Sequence, residues 1–420
     1  MTAFIHREGQ LCCEEVPLAD LAARHGTPLY VYSKAALLRH FRDFDRAFAG
    51  RPHLVCFAMK ANDHLAILRL LAREGAGFDV VSGGELWKAL RAGADPRKIV
   101  FSGVGKTEAE LEYALRQGIL MLNVESPAEL EAVERVAARL GVRAPIALRV
   151  NPDVDPRTHP YVSTGLRQSK FGIPIEDAPV HYRRARELPH VDVVGVDCHI
   201  GSQLTQVSPF VDALARVRRL IARLAEEGLG GGLEYLDLGG GLGIRYQDET
   251  PPTPAEYAAA LAEGLSGLPL TVLFEPGRFI VGNAGALVTR VLYRKDTPAK
   301  KFVIVDAAMT DLVRPALYDA YHAIEPVRPR GASTIVADVV GPVCESGDFL
   351  ARERTIEEPQ PGDLLAVMSA GAYGHVMASN YNARPRPAAV LVDGRAHHIV
   401  RERETLEDLV RGERIPPDLG

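Results

Sequence analysis

The chain has 420 residues, 47% of them hydrophobic, with 49 basic and 54 acidic side chains and a formal net charge of -5. It is long enough to bury two cores, and its charge is spread along the whole length, with no basic block for nucleic acid and no acidic tail. Cys12, Cys13, Cys56, Cys198 and Cys344 form neither a C-x-x-C pair nor an even framework, no segment has the apolar core of a signal peptide, and no apolar run reaches the ~18 residues of a membrane span, so a soluble, cytoplasmic protein without disulfides or a metal is expected.

The first thirty residues, ending near TPLYVY, read as strand and are grouped with the later part of the chain as a β domain over residues 1–30 and 281–420. Between them, over residues 31–280, apolar β-type runs alternate with helical patterns. The runs are HLVCFAM, GFDVVS, IVFSG, MLNVES, IALRVNP, VDVVGVDCHIG, YLDLGGG and TVLFEPGR. Segments such as SPAELEAVERVAARLG place apolar residues at helical spacing behind a Ser-Pro start and before a closing Gly. Eight strands alternating with helices predict an α/β fold, a parallel (β/α)8 TIM barrel, with an open doubly wound sheet as the alternative. Past Arg278 the runs KFVIVDAAM, STIVADVVGPVCES, DLLAVMSAGAYG and PAAVLVDG are separated by Pro and Gly turns, which reads as an all-β region.

Active sites of a (β/α)8 barrel lie at the C-terminal ends of its strands, and the polar and glycine signals of this chain fall there. The first run ends in Lys60, the fifth in Arg149 and Asn151, the sixth in His199, the seventh in Gly239, Gly240 and Gly241, and the eighth in Glu275, Gly277 and Arg278. Taken singly, each has a plain structural reading: a lysine that starts a helix, a loop histidine, a tight turn, a local salt bridge. Together they suit one ligand. A lysine deprived of solvent is a nucleophile toward a carbonyl. Three consecutive glycines let backbone N–H groups approach a phosphate, to which Arg278 could add a charge. His199 offers a flat ring to stack, and Glu275 a carboxylate for a basic ring nitrogen. Aldehyde, phosphate and pyridine describe pyridoxal 5'-phosphate (PLP).

FAMKAN, HIGSQ, LGGGLG, EPGR and VCESGD, in this order, resemble the motifs of the alanine-racemase-like (fold type III) barrel decarboxylases, a PLP-binding barrel followed by a C-terminal all-β domain. THPYVSTG with KFGI, EPGRFIVGNAG and MTDLVRPALYDAYH resemble the branch that converts meso-2,6-diaminopimelate to L-lysine and CO2, the last step of lysine biosynthesis. The resemblance implies that Lys60 carries the cofactor, His199 stacks on its ring, and Glu275 pairs with the ring nitrogen. It further implies that Ser202, Gly239, Gly240, Gly241, Pro276, Gly277 and Arg278 hold the cofactor at and near its phosphate. It implies a homodimer with shared active sites, in which Cys344 (proton donor) and Glu345 (partner of the distal ammonium) of one subunit face the cofactor of the other. Arg278, Arg314 and Tyr318 are then expected around the distal carboxylate, with Tyr373 near phosphate and substrate. Relatives acting on ornithine, arginine or carboxynorspermidine share the cofactor motifs and differ mainly in this distal clamp. A buried Arg314 without a carboxylate to meet would carry a desolvation cost of a few kcal/mol. An amino-acid racemase would need a second base, commonly a tyrosine, where this chain offers Cys344. A non-enzymatic binding protein would lack Lys60 or the β domain.

Overall fold

Each of the eight apolar runs becomes a strand in the computed structural model, which describes residues 3–155 and 170–419. In chain order they are β1 (His53–Ala58), β2 (Gly77–Val80), β3 (Ile99–Phe101), β4 (Met121–Val124), β5 (Ala144–Asn151), β6 (Val191–Asp197), β7 (Tyr235–Asp237) and β8 (Thr271–Phe274). Each pairs in parallel with the next, and β8 pairs with β1 in the register Val272↔His53, Leu273↔Leu54, Phe274↔Val55. That closure rules out the open doubly wound sheet. Strands buried on both faces must be apolar almost throughout, which is why the runs were continuous rather than alternating. Cys56, Val100, Met121, Ala147, Val194 and Leu273, drawn from six of the strands, form one buried cluster.

The helices between them start and stop on local chemistry. They are α1 (Leu65–Arg73), α2 (Gly83–Arg91), α3 (Glu108–Gln117), α4 (Pro127–Leu140), α5 (Ala178–Glu187), α6 (Ser208–Glu226) and α7 (Pro254–Leu265). Thr107 with Glu110, and Thr253 with Glu256, form reciprocal capping boxes, while Ser82 and Ser126 accept from the N–H three residues on. In α6 the buried stripe Phe210, Leu214, Val217, Leu220 and Leu224 recurs every three or four residues. It packs on α7 so closely that a Cβ at Gly264 would lie 2.6 Å from Leu214 Cδ2.

This barrel belongs to a compact unit of residues Leu38–Val281, and Met1–Leu37 with Gly282–Gly420 form a second. The second unit is built on one long strand, Gly285–Asp296, which pairs antiparallel with Leu29–Ser33 of the TPLYVY segment, with Leu364–Val367 and with Lys301–Val305. Leu29–Ser33 also pairs in parallel with Ala388–Asp393. Thr334–Val340 and Phe349–Glu357 form an antiparallel pair whose connection carries Cys344 and Glu345. The helices Leu18–His25, Arg314–Tyr318 and Leu406–Leu409 interrupt the β structure of this unit. The first corrects the reading of the first thirty residues as strand: Leu18, Leu21 and Ala22 recur at helical spacing and bury one face.

Candidate active site

The residues predicted on the barrel rim converge. Lys60 sits in a 3-10 turn, Met59–Ala61, directly after β1, and Lys60, Ser102, Arg149, Phe171, His199 and Glu275 line one cavity of about 400 Å³. The sequence left Lys60 without a named partner. The structure supplies one: Lys60 Nζ lies 2.6 Å from Oδ2 of the fully buried Asp79. The amine is thus stabilised as an ammonium rather than neutralised by burial. The other oxygen of Asp79 has no hydrogen-bond partner among the described residues.

Asp79 lies at the same end of the barrel as the buried acids Glu125, Asp197, Asp237 and Glu275, and a further one, Glu129, is paired with Lys106. Arg149 donates to Glu125 Oε1 at 2.8 Å and lies 3.9 Å from Asp197 Oδ2. Burial opposes the Arg149 charge, but Glu125, Asp197 and Glu275 outweigh it and raise the pKa of the guanidinium. Burial, then Asp237, Asp79 and Asp197, push Glu275 well above the ordinary carboxylate range. Asp237 is pushed up to about 6, chiefly by burial. The acids outnumber Lys60 and Arg149, so the cluster suits a cationic guest. A protonated ring nitrogen facing Glu275 would relieve it.

His199, half-buried after β6, accepts a hydrogen bond at Nδ1 from the Gly240 N–H at 3.2 Å, which puts the proton of the neutral ring on Nε2. Burial, with Arg149 and Lys60, holds its pKa well below the ordinary histidine value, so the ring is neutral and flat. The glycine turn is required by its surroundings. A Cβ on Gly240 would lie 2.2 Å from the Glu275 carbonyl oxygen, and Gly241 has φ +113° with the Gly201 carbonyl oxygen 2.6 Å from a Cβ. Gly239 and Gly240 already spend their N–H groups on Asp237 and His199, so the turn offers fewer backbone donors to a ligand than three glycines suggest. Arg278 is buried, donating to Tyr246 Oη at 2.7 Å and Ser202 Oγ at 2.9 Å. It does not form a local salt bridge with Glu275, whose carboxylate instead accepts from Ser102 Oγ.

The remaining predicted residues lie in the second unit. Arg314, buried at the start of its short helix, donates to His322 Nε2 at 3.0 Å, while His322 Nδ1 lies 2.8 Å from the Met368 carbonyl oxygen. The carbonyl fixes the proton on Nδ1, leaving Nε2 to accept from the guanidinium. Tyr318, half-buried, ends the same helix. Cys344 and Glu345 are exposed. Their loop hangs on Asp348, which accepts from the Val343 N–H at 2.7 Å and the Met309 N–H at 2.6 Å, and the Cys344 N–H donates to Asn382 Oδ1 at 2.8 Å. Tyr373, half-buried, and Asn382 both adopt φ +55°, conformations that non-glycine residues hold only where surroundings impose them. THPYVSTG lies outside the described residues, and KFGI contributes Phe171, over whose ring the Arg149 guanidinium sits at 4.8 Å.

Asp79, Asn123, Asp197 and Asp237 were missed in the sequence, as were His322 and Asp348. Asp79, Asn123 and Asp237 are each the one charged or amide residue of an apolar strand, and Asp197 closes a strand that also holds Asp192, a signal that sequence inspection could have used. His322 and Asp348 lie in motifs whose other residues drew attention.

A closed β/α barrel that gathers a lysine, a neutral histidine, a glycine turn and a buried acid around one rim cavity is the architecture of a barrel PLP enzyme. The family model for the pyridoxal-binding domain of pyridoxal-dependent decarboxylases matches residues 34–282. Diaminopimelate decarboxylase of Pseudomonas aeruginosa is 57% identical over 99% of this chain and 100% of its own length. The crystal structure of diaminopimelate decarboxylase from M. jannaschii in complex with L-lysine superposes with TM-score 0.94 at 40% identity, covering 99% of both chains. That of the Helicobacter pylori enzyme with L-lysine gives TM-score 0.90 at 43% identity, covering 94% of this chain and 98% of the other. The chain belongs to the pyridoxal-dependent decarboxylases and, within them, to the diaminopimelate decarboxylases, which makes it a carboxy-lyase.

Proposed function

We infer that this chain decarboxylates meso-2,6-diaminopimelate to L-lysine and CO2, closing lysine biosynthesis, with PLP held in the barrel-rim cavity. The observation that carries the reading is the meeting of Lys60, His199 and Glu275 around one cavity whose buried acids call for a cation. Lys60 Nζ would hold the cofactor, and Asp79, 2.6 Å away, would stabilise the ammonium of the free lysine. His199 would stack on the ring, and Glu275 would pair with the ring nitrogen. Gly241, Ser202 and Arg278, with Pro276 and Gly277 shaping the turn, take the phosphate. When bound, PLP supplies the sink for the electron pair left on the α-carbon as CO2 departs. The chain's own part is to hold the scissile carboxylate out of the ring plane and to return a proton to the α-carbon from the Cys344 thiol. At the far end of the substrate, Arg314, backed by His322, receives the distal carboxylate with Tyr318 and Arg278, and Glu345 receives the distal ammonium. Tyr373 would serve phosphate and substrate.

The exposure of Cys344 and Glu345 in a single chain supports a homodimer in which they complete the partner's cavity. A cytoplasmic setting agrees with five free cysteines, and no described helix is long and apolar enough to cross a membrane. Ornithine, arginine and carboxynorspermidine are disfavoured as substrates because they carry no distal carboxylate for Arg314 to bind. CO2 release from meso-diaminopimelate, L-ornithine, L-lysine, L-arginine and carboxynorspermidine by the PLP-loaded protein tests the assignment. Release from diaminopimelate alone, abolished in Lys60→Ala, supports it. Equal release from another substrate overturns the distal clamp, and silence across the panel overturns the reaction.

A further inference from the structure

The polar groups at the rim form a closed hydrogen-bonded circuit that no single motif contains. The Glu275 N–H donates to the Gly239 carbonyl at 2.8 Å, and the Gly239 N–H to Asp237 Oδ1 at 2.9 Å. Asp237 Oδ2 accepts from Asn123 Nδ2 at 3.4 Å. The same amide nitrogen donates to Ser102 Oγ at 3.1 Å, and the Ser102 hydroxyl donates to Glu275 Oε1 at 3.4 Å. All four side chains are buried, and they come from or directly follow four strands, β3, β4, β7 and β8.

Asn123 is the residue that closes the circuit. Both of its amide hydrogens are used, one toward each arm, while its own Oδ1, fully buried, has no hydrogen-bond partner among the described residues. A buried carbonyl without a donor is unfavourable. The amide nevertheless keeps this orientation, because only its nitrogen can donate to a carboxylate and a hydroxyl together. Aspartate here would add another negative charge to the cluster, and leucine would remove both donors.

We propose that Asn123, acting through Asp237 and Ser102, is a positioning residue that holds the Glu275 carboxylate in front of the cofactor's ring nitrogen and at a fixed offset from the Gly239–Gly241 turn. One frame then sets both the nitrogen end and the phosphate end of the bound ring. The inference rests on the reading that PLP occupies this cavity. Glu275 is also faced by Asp79, Asp197 and Lys60, and Arg149 acts on it from β5. Asn123 touches none of these directly except through the circuit, so its removal should act on the ring nitrogen by freeing Glu275.

The test uses the PLP-loaded full chain and two readouts, cofactor affinity by fluorescence titration and the pH dependence of the bound cofactor's absorbance. A carboxylate held at the ring nitrogen keeps that nitrogen protonated to higher pH. In Asn123→Ala the absorbance transition should therefore move to lower pH, and PLP should bind roughly ten-fold more weakly, the scale of one lost charge-assisted hydrogen bond. Ser102→Ala, which deletes one hydroxyl and carries the test if Asn123→Ala fails to fold, should move the transition in the same direction. In a Glu275→Gln background neither change should move it further. A transition unmoved in Asn123→Ala and Ser102→Ala, or moved equally in the Glu275→Gln background, overturns the proposal. Lys60→Ala separates the two readings: if it leaves the bound-cofactor absorbance as in the unaltered chain, PLP does not sit here, and the underlying assignment fails instead.

Discussion

Asp237→Asn in the cofactor-free protein offers a quantitative check on the buried acid cluster. Asp237 is fully buried, and its carboxyl is displaced from an ordinary 3.8 to about 6, chiefly by burial, with Asp79 adding to it. A carboxyl whose folded-state pKa is raised stabilises the fold while both states are protonated, below pH 3.8. That contribution declines as pH rises and is gone once pH passes about 6. The gap from 3.8 to 6 is about two pH units, which at about 1.4 kcal/mol each makes ~3 kcal/mol. Asparagine has nearly the same shape, keeps an oxygen for the Gly239 N–H and carries no charge to desolvate. Its lost pairing with Asn123 costs about 1 kcal/mol at every pH. Relative to the unaltered chain, Asp237→Asn should therefore gain ~3 kcal/mol of stability between about pH 4 and pH 7, read as converging and then crossing melting curves by calorimetry. Added PLP should stabilise the unaltered chain more than the variant at pH 8, because Asp237 adds to the buried negative charge that a cationic guest relieves. A difference between the two cofactor-free proteins that stays constant from pH 4.5 to 7.5 would refute the reasoning.

Gly240→Ala forces a methyl to 2.2 Å from the Glu275 carbonyl oxygen. Overpacking of about 1–3 kcal/mol should lower the melting temperature and weaken PLP binding together, and undiminished cofactor affinity would contradict the packing described. His322→Leu removes the acceptor 3.0 Å from Arg314 and should raise KM for diaminopimelate roughly ten-fold with kcat little altered; a fall in kcat at constant KM would show that Arg314 does not act through substrate binding. Of the five cysteines only Cys344 is exposed, so a thiol reagent should label one site per chain quickly under native conditions. Cys344→Ser should abolish that fast phase, and Cys344→Ala should cut kcat far more than it changes KM. A second fast-labelling thiol would count against the burial of Cys12, Cys13, Cys56 and Cys198.

The barrel was legible because strands buried on both faces leave continuous apolar runs, and all eight such runs are strands. The rim residues were legible for a related reason: Lys60, His199 and Glu275 each stand at the end of such a run. What sequence did not display was what closure brings together. Asp79, Asn123 and Asp237 are each the one charged or amide residue of the strands GFDV, MLNV and YLD, and nothing in the linear order says that the strands carrying them meet across a closed barrel. The Asn123 circuit arises from that closure, whereas Asp79 meets Lys60 through the neighbouring β1–β2 pair, in which Ala58 stands opposite Asp79. His322 illustrates a different gap. It lies in MTDLVRPALYDAYH beside Arg314, but its role depends on the Met368 carbonyl, 46 residues away. The donors of the glycine turn were overestimated because glycine's openness to a ligand is equally an openness to Asp237 and His199.

Everything proposed for the barrel-rim cavity depends on Lys60 holding PLP there. Borohydride reduction of the PLP-loaded protein, followed by protease digestion and mass spectrometry, tests it most directly. A single phosphopyridoxyl adduct is expected on the peptide containing Lys60, absent from Lys60→Ala. An adduct on any other lysine, or one that persists in Lys60→Ala, would contradict it.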